Sequence, residues 1–548
     1  MYPQSPLMGQ MMNQPLLVSS ILDFAARHYA NSEIVSRRVE GDLHRYTFRD
    51  CQQRVKRLAN ALHGLGVGMG ERVATLAWNG YRHLEAYYAV SGSGAVLHTM
   101  NPRLHPEQLA YICNHAEDQY LLFDFCFLPL VEAFAPLCKT IKGFILLGAA
   151  DRMPAETKIP NLLCYEDLIN SHSAEFEWPL FDENSACTLC YTSGTTGNPK
   201  GALYSHRSTV LHAYASALPN VLNVSSSDTV MPVVPMFHVN AWGLPYSVPL
   251  SGAKMVFPGA ALDGKSVYEL MEQEKVTFSA GVPTVWLGLI NYAVQNKLKF
   301  STFRRTVIGG SACPPAMMNT LIDDFGVEVV HAWGMTEMSP LGTAGGLLTK
   351  HLDLSKEEQR KILQKQGHGI YGVDMKIIDD DGKELPWDGV SYGHLMVKGP
   401  WIISRYFKDE GGGVLQDGWF PTGDVATIDA DGFMQITDRS KDVIKSGGEW
   451  IGTIDLENVA MSHPAVMQAA CIGVSHPKWD ERPLLVVVLR PGQELKREAL
   501  LAHFEGKVAK WWLPDDVVFA DALPVGGTGK IQKNKLREQY RDYRLPTI

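Results

Sequence analysis

Between residues 47 and 330, short apolar β-leaning runs alternate with segments of helical period, and this alternation narrows the fold more than any other feature. Thr47 reads as a helix N-cap. Cys51, Val55, Leu58, Leu62 and Leu65 follow at 4-3-4-3 spacing, and Gly64 and Gly66 end the helix. A strand over 72–78, a helix over 81–90 and a strand over 95–99 come next. Helix 106–116, strand 119–123, helix 127–134 and strand 141–147 continue the series. Repeated β–α units of this kind imply parallel sheets with helices on both faces. Residues 181–330 repeat the texture, with apolar runs at 229–234, 254–257 and 305–308, and the charged, helix-prone stretch 348–365 covers an edge.

The texture then changes. Short strands at 375–378, 394–397 and 433–436 are punctuated by Asp-Asp-Gly, Asp-Gly-Trp and Asp-Ala-Asp-Gly turns, the pattern of a small β-barrel-like subdomain. Beyond Arg439, strands at 470–474, 484–489 and 517–520 flank a helix over 497–508, which suits a compact α+β domain. A chain of 548 residues exceeds one ordinary core, so two domains are expected, 1–438 and 439–548, divided at Asp438-Arg-Ser-Lys-Asp442. The net charge of −9 argues against nucleic acid as a partner, because like charges repel. Nine cysteines, an odd number scattered through a long chain, suggest reduced thiols and a cytoplasmic address. Cys187 and Cys190 form a Cys-x-x-Cys inside an apolar strand with no second pair, and read as core thiols. The N-terminus lacks the basic and apolar regions of a signal peptide, and the most apolar stretch, 121–137, is broken by Asp124, Pro129, Glu132 and Pro136, so no transmembrane segment is expected.

Tyr191-Thr-Ser-Gly-Thr-Thr-Gly-Asn-Pro-Lys200-Gly201 follows an apolar strand and leaves no side chain to pack. A Ser/Thr/Gly run alone is often a surface loop. Here glycines and hydroxyls at a strand end, closed by Lys200, suit a polyphosphate. The P-loop spacing is absent, both there and at Gly529-Lys530. Ile308-Gly-Gly-Ser-Ala-Cys-Pro-Pro315 ends a strand with side chains no larger than a thiol, a gap that admits a flat ring. In His331-Ala-Trp-Gly-Met-Thr-Glu337, Trp333 can stack on a purine, Gly334 permits close approach, Thr336 can bond a phosphate and Glu337 can hold Mg²⁺. A lone Thr-Glu pair would be a helix cap. Met236-Phe-His-Val-Asn-Ala-Trp242 joins an imidazole, an amide and an indole, or is simply a core loop. Asp424 ends Trp419-Phe-Pro-Thr-Gly-Asp424, where a carboxylate can accept two ribose hydroxyls or close a turn. Two glycine-flanked lysines, Lys445 and Lys530, stand in the last hundred-odd residues.

The Tyr191–Gly201 loop resembles the signature of the acyl-adenylate-forming superfamily, and the later motifs arrive in that superfamily's order over almost the whole chain. The nearest groups are bacterial medium-chain fatty-acyl-CoA ligases and methylmercaptopropionate-CoA ligases. The resemblance implies ATP, Mg²⁺ and coenzyme A as cofactors, a carboxylic acid as substrate, and allows a homodimer. It implies that Thr192, Ser193, Gly194, Thr195, Thr196 and Lys200 cradle phosphates. Gly310, Ser311 and Ala312, with His331, Ala332, Trp333, Gly334, Met335 and Thr336, would form the nucleotide wall. Asp424 and Arg439 would take the ribose, and Glu337 the metal. His238 would gate the acyl site, with Val239, Asn240, Trp242 and, on size grounds, Trp286 walling the acyl tunnel. Lys530 would contact carboxylate and α-phosphate, Lys441 would be the hinge of a mobile C-terminal domain, and Lys445 would serve the thioester step. Two positions depart from the pattern: Gly452, where relatives usually carry serine, and Val525, where a basic residue is common. A short thioether or aryl acid is an alternative substrate, and a non-catalytic nucleotide-binding protein an alternative of another class.

Overall fold

The computed structural model describes residues 7–192, 198–409, 412–447, 449–526 and 530–547. The helix read from Thr47 spans Phe48–Gly64 and opens with a capping box in which Thr47 accepts from the Asp50 amide and Asp50 accepts in return. It buries Cys51, Val55, Leu58 and Leu62, the residues of the 4-3-4-3 stripe. The strands Arg72–Leu76 and Val96–Thr99 and the helices Tyr81–Gly92 and Pro106–Ala116 also stand where the periodicity places them.

These units assemble into two large sheets. One has seven strands, with Asp118–Asp124, Arg72–Leu76, Val96–Thr99 and Ala186–Tyr191 adjacent and parallel, and Gly201–Ser205 antiparallel at one edge. The other has nine. Its centre is parallel, running Glu328–Gly334, Arg305–Ile308, Phe278–Gly281, Thr229–Pro232, Lys254–Phe257. Near-continuous burial of these strands on both faces, covered by helices such as Gly264–Glu274 and Pro283–Gln295, explains why they read as apolar runs without alternation. Cys187 and Cys190 are buried free thiols in the Ala186–Tyr191 strand.

The expected small β region is an antiparallel meander of four strands, Asp374–Ile378, Tyr392–Lys398, Phe420–Ile428 and Met434–Arg439. A separate mixed sheet of five strands follows from Ile444 onward, built on the long antiparallel pair Val466–His476 and Asp480–Leu489, with its own apolar core around Leu456, Leu485 and Phe504. The helix expected over 497–508 stops at His503; Gly506, at φ 73°, takes a left-handed turn just beyond. No helix among the described residues is long and apolar enough to cross a membrane.

Candidate active site at the strand ends

In an open parallel sheet, loops at the carboxyl ends of neighbouring strands face one crevice. Four such ends meet here: those after Thr229–Pro232, Phe278–Gly281, Arg305–Ile308 and Glu328–Gly334. Gly310, at φ 79°, turns the third. A Cβ there would stand 3.1 Å from Val282 Cγ1 and 3.9 Å from both Lys530 Cε and Trp242 Cζ2. The glycine gap read from sequence is therefore the place where Trp242, from one loop, and Lys530, from the far end of the chain, come together.

The fourth strand end carries the densest set of polar groups. The Trp333 indole N–H donates to Asp424 Oδ2 at 2.9 Å, and Asp424 faces Arg439 across the strand pair, with Arg439 Nε 3.7 Å from Oδ1. Gly334 is required by close approach, since a Cβ would meet the Pro340 carbonyl oxygen at 2.1 Å. Thr336 and Glu337 are buried. Tyr406 donates its hydroxyl to Glu337 Oε1 at 2.7 Å, and Lys200 Nζ lies 5.0 Å from the centre of the Tyr406 ring. Thr192 and Lys200 face each other across the neck of the loop, through Thr192 N–H to Lys200 O at 2.9 Å and Lys200 N–H to Thr192 Oγ1 at 3.2 Å. Ser193, Gly194, Thr195 and Thr196 lie outside the described residues.

Burial sets the charge states. Glu337 and Asp424 are both raised above the usual carboxylate range by desolvation, opposed by Tyr406 in the first case and Arg439 in the second. Lys530 is lowered to about 8 by burial and then by Arg439, while Asp424 and Glu337 pull it back. His238 is pushed down to about 3 by burial and by the neighbouring Lys530 charge, so it is a neutral imidazole at physiological pH. His331 serves another purpose: its Nδ1–H donates to the Gln364 carbonyl at 2.7 Å and its Nε2 accepts from Cys313 N–H at 3.2 Å. It ties the Ser311–Cys313 turn to the strand beside it, Ser311 is left exposed, and Ala332 is buried within the strand.

The loop after His238 folds in a way its residue types do not announce. Val239, Asn240, Ala241 and Trp242 have φ of 47°, 52°, 46° and 58°, a full left-handed turn that Gly243 closes at 80°. Such geometry costs roughly 1–2 kcal/mol per non-glycine residue, so it must be held from outside. Asn240 is the anchor: its amide donates to Thr188 Oγ1 at 3.2 Å, and its oxygen accepts from Tyr87 OH at 3.2 Å and from Cys190 Sγ at 3.5 Å. This corrects the expectation for Asn240, whose side chain is spent on protein partners and has 2% exposure. Val239 is likewise enclosed, while His238 and Trp242 remain partly open to the crevice. Trp286 is also corrected. It has 0% exposure and stacks at 6.0 Å on Phe303 in the apolar layer between the nine-stranded sheet and its helices, a core position. Lys445 is exposed, with its amine 5.4 Å from the Trp450 ring centre, and Lys441 is exposed in the connection between the meander and the last sheet.

The AMP-binding enzyme family matches residues 22–407, and the AMP-binding enzyme C-terminal domain matches residues 455–530. The chain belongs to this family. Its relatives include the 3-methylmercaptopropionyl-CoA ligase of Ruegeria lacuscaerulensis, 54% identical over 98% of this chain and 99% of that one. The medium-chain-fatty-acid–CoA ligase of Ectopseudomonas oleovorans is 51% identical over 98% of each. Among solved structures, the anthranilate CoA ligase AuaEII in complex with anthranoyl-AMP superposes with a TM-score of 0.85 at 25% identity, covering 96% of this chain and 98% of that one. The family's two matched regions meet at the crevice described above, since Gly310 belongs to the first and Lys530 to the second.

Proposed function

We propose that the protein is an AMP-forming acyl-CoA ligase acting on a medium-chain fatty acid. The observation that carries this reading is the arrival of Lys530 at the Gly309–Gly310 gap, beside Trp242 and His238 and within the field of Asp424, Glu337 and Arg439. In the first half-reaction the acid's carboxylate attacks the α-phosphorus of ATP, forming acyl-AMP and releasing pyrophosphate. In the second the coenzyme A thiol attacks the acyl carbon, giving the thioester, and AMP leaves.

Two anions must approach each other, so the protein's work is positioning and charge neutralisation. Asp424, held by Trp333 and flanked by Arg439, is set to accept ribose hydroxyls. Lys530 offers a positive charge between carboxylate and phosphate. Lys200 and the hydroxyl of Thr192 stand at the neck of the phosphate loop. One Glu337 oxygen is taken by Tyr406, which leaves the other for Mg²⁺. No group of three or more His, Cys, Asp or Glu among the described residues could hold a metal alone, so the ion would share its shell with phosphate and water. When bound, Mg²⁺ supplies further neutralisation of phosphate charge.

Lys445 is exposed and its amine lies beside Trp450, while Lys530 lies at the crevice, and this supports a domain split at 438/439 with rotation about Lys441 before the thioester step. Nine free thiols favour the cytoplasm. The medium-chain acid is supported by the relative at 51% identity, and a short thioether acid by the relative at 54%. A panel from propionate to dodecanoate, with thioether and aryl acids, decides between them by kcat/KM. With the best acid, AMP and pyrophosphate should form in equal amounts; ADP as product would overturn the assignment.

A further inference from the structure

Asp438 has no part in the reading above, yet it is among the most enclosed charged groups of the chain, 1% exposed. It stands next to last in the Met434–Arg439 strand, three residues before Lys441. Its Oδ1 accepts from the Arg439 amide at 2.7 Å. Its Oδ2 accepts both the amide and the hydroxyl of Thr453, each at 2.7 Å. Thr453 is the first residue of the Thr453–Met461 helix, beyond the connection.

The first-turn amides of a helix need acceptors, usually from the side chain at the N-cap. Here the N-cap is Gly452, which has no side chain to offer. A Cβ at Gly452 would lie 3.1 Å from the Thr437 carbonyl oxygen, so the glycine also lets the strand and the helix start come close. The cap is thus supplied from the other side of the hinge. The contact continues toward the crevice. Lys533 Nζ donates to Thr453 Oγ1 at 2.5 Å and pairs with Glu457 at 2.6 Å, and Lys533 lies three residues beyond Lys530. The Lys530–Gln532 segment is paired with Pro524–Gly526 by Gly526 N–H to Lys530 O at 2.7 Å and Gln532 N–H to Pro524 O at 2.8 Å.

We propose that Asp438 is a latch, a positioning residue that caps the Thr453–Met461 helix across the hinge and so holds Lys530 in the adenylating arrangement. This rests on the domain-rotation reading above. Rotation about Lys441 separates residues before it from those after it, so both bonds to Thr453 must break in each turnover. The latch therefore favours the first half-reaction and must be released for the second.

In the full-length protein, Asp438→Ala should lower ATP–pyrophosphate exchange about 10- to 100-fold, the range for hydrogen bonds to a charged acceptor. Formation of acyl-CoA from supplied acyl-AMP should be unchanged or faster. Equal losses in both assays would overturn the latch. A purely helix-stabilising role is separated by Thr453→Val, which removes the hydroxyl bond across the hinge and leaves the Thr453 amide capped by Asp438. Exchange that falls while the reaction of supplied acyl-AMP does not supports the latch, and unchanged exchange overturns it. Should Asp438→Ala not fold, Asp438→Asn, which keeps an oxygen acceptor but loses the charge, should show the same split to a smaller degree; no split overturns the proposal. Lys530→Ala in the same assays keeps the two readings apart. A split there with none at Asp438 sinks the latch alone, whereas no split at Lys530 sinks the rotation on which it rests.

Discussion

The two parts of the crevice are built on different terms. On the sheet side three polar groups are held by protein partners: Asp424 by Trp333, Glu337 by Tyr406, His331 by Gln364 and Cys313. On the other side Lys530 is half-buried, and its side chain makes no hydrogen bond or ion pair among the described residues. A group held on several sides keeps its place through a reaction cycle. A lysine delivered from a second domain can be withdrawn, and under the proposed rotation the exposed Lys445 would take its place. The difference teaches where damage should show: changes on the sheet side should affect both half-reactions, and changes on the delivered side only one.

The largest effect expected tests that division directly. Lys530→Ala should slow adenylation by about 10²–10³-fold, the usual loss for a preorganised charge, and leave the reaction of supplied acyl-AMP with coenzyme A nearly intact. Lys445→Ala should do the reverse. Equal losses in both half-reactions for both variants would erase the distinction between the two sides. The next effect sharpens it. Lys530, lowered to about 8 by burial, must be protonated to neutralise phosphate, so its contribution is complete below that pH and lost above it. The kcat/KM for ATP reports the free enzyme and should fall about tenfold per unit above about pH 8. Lys530→Arg, which stays charged, should flatten that limb. His238, neutral down to about 3, should add no acid limb between pH 5 and 7.

How far this architecture is legible in the sequence depends on the range of the forces involved. The Phe48–Gly64 helix is legible because its cap and apolar stripe are local, and the glycine gap at Gly309–Gly310 because small residues at a strand end leave space whatever surrounds them. The Trp333–Asp424 bond joins residues 91 apart, and the Tyr406–Glu337 bond residues 69 apart; no window of sequence pairs them. Sequence therefore offers Trp333 as a stacking face and is silent on its role in orienting a carboxylate. The left-handed turn is hidden for a related reason. Of Val239, Asn240, Ala241 and Trp242 only asparagine favours positive φ, so the turn is imposed by Thr188, Tyr87 and Cys190 from elsewhere. Trp286 misleads because aromatic bulk suits a tunnel wall and a core equally, and only the packing against Phe303 decides.

The turn offers a test on the sheet side. Asn240→Ala removes the anchor and leaves the buried Thr188 hydroxyl short of a partner, while the Tyr87 hydroxyl keeps the Met236 carbonyl, a loss of about 1–3 kcal/mol. The thermal midpoint should fall. Because the turn carries both His238 and Trp242, the two half-reactions should slow together. A split between them would place the turn with the delivered elements.

The smallest expected effect concerns Trp242, the side chain nearest the boundary between the two sides. Its Cη2 lies 3.2 Å from where a Cβ on Gly309 would stand, and the adjacent Cζ2 faces Gly310, across which Lys530 approaches. The indole is therefore either the near wall of the acyl chamber or the floor beneath the nucleotide. If it walls the acyl chamber, Trp242→Ala should open room and shift preference toward longer acids. The dodecanoate-to-octanoate ratio of kcat/KM should rise about tenfold, since a few methylenes in an apolar pocket discriminate by about 1–3 kcal/mol. The KM for ATP should hardly move, and the shift should appear equally with supplied acyl-AMPs of the two lengths, because a wall fixed to the sheet stays in place through domain rotation. An unchanged chain-length profile with a raised KM for ATP would instead assign Trp242 to the nucleotide, and leave His238 as the one residue of its loop that faces the acid.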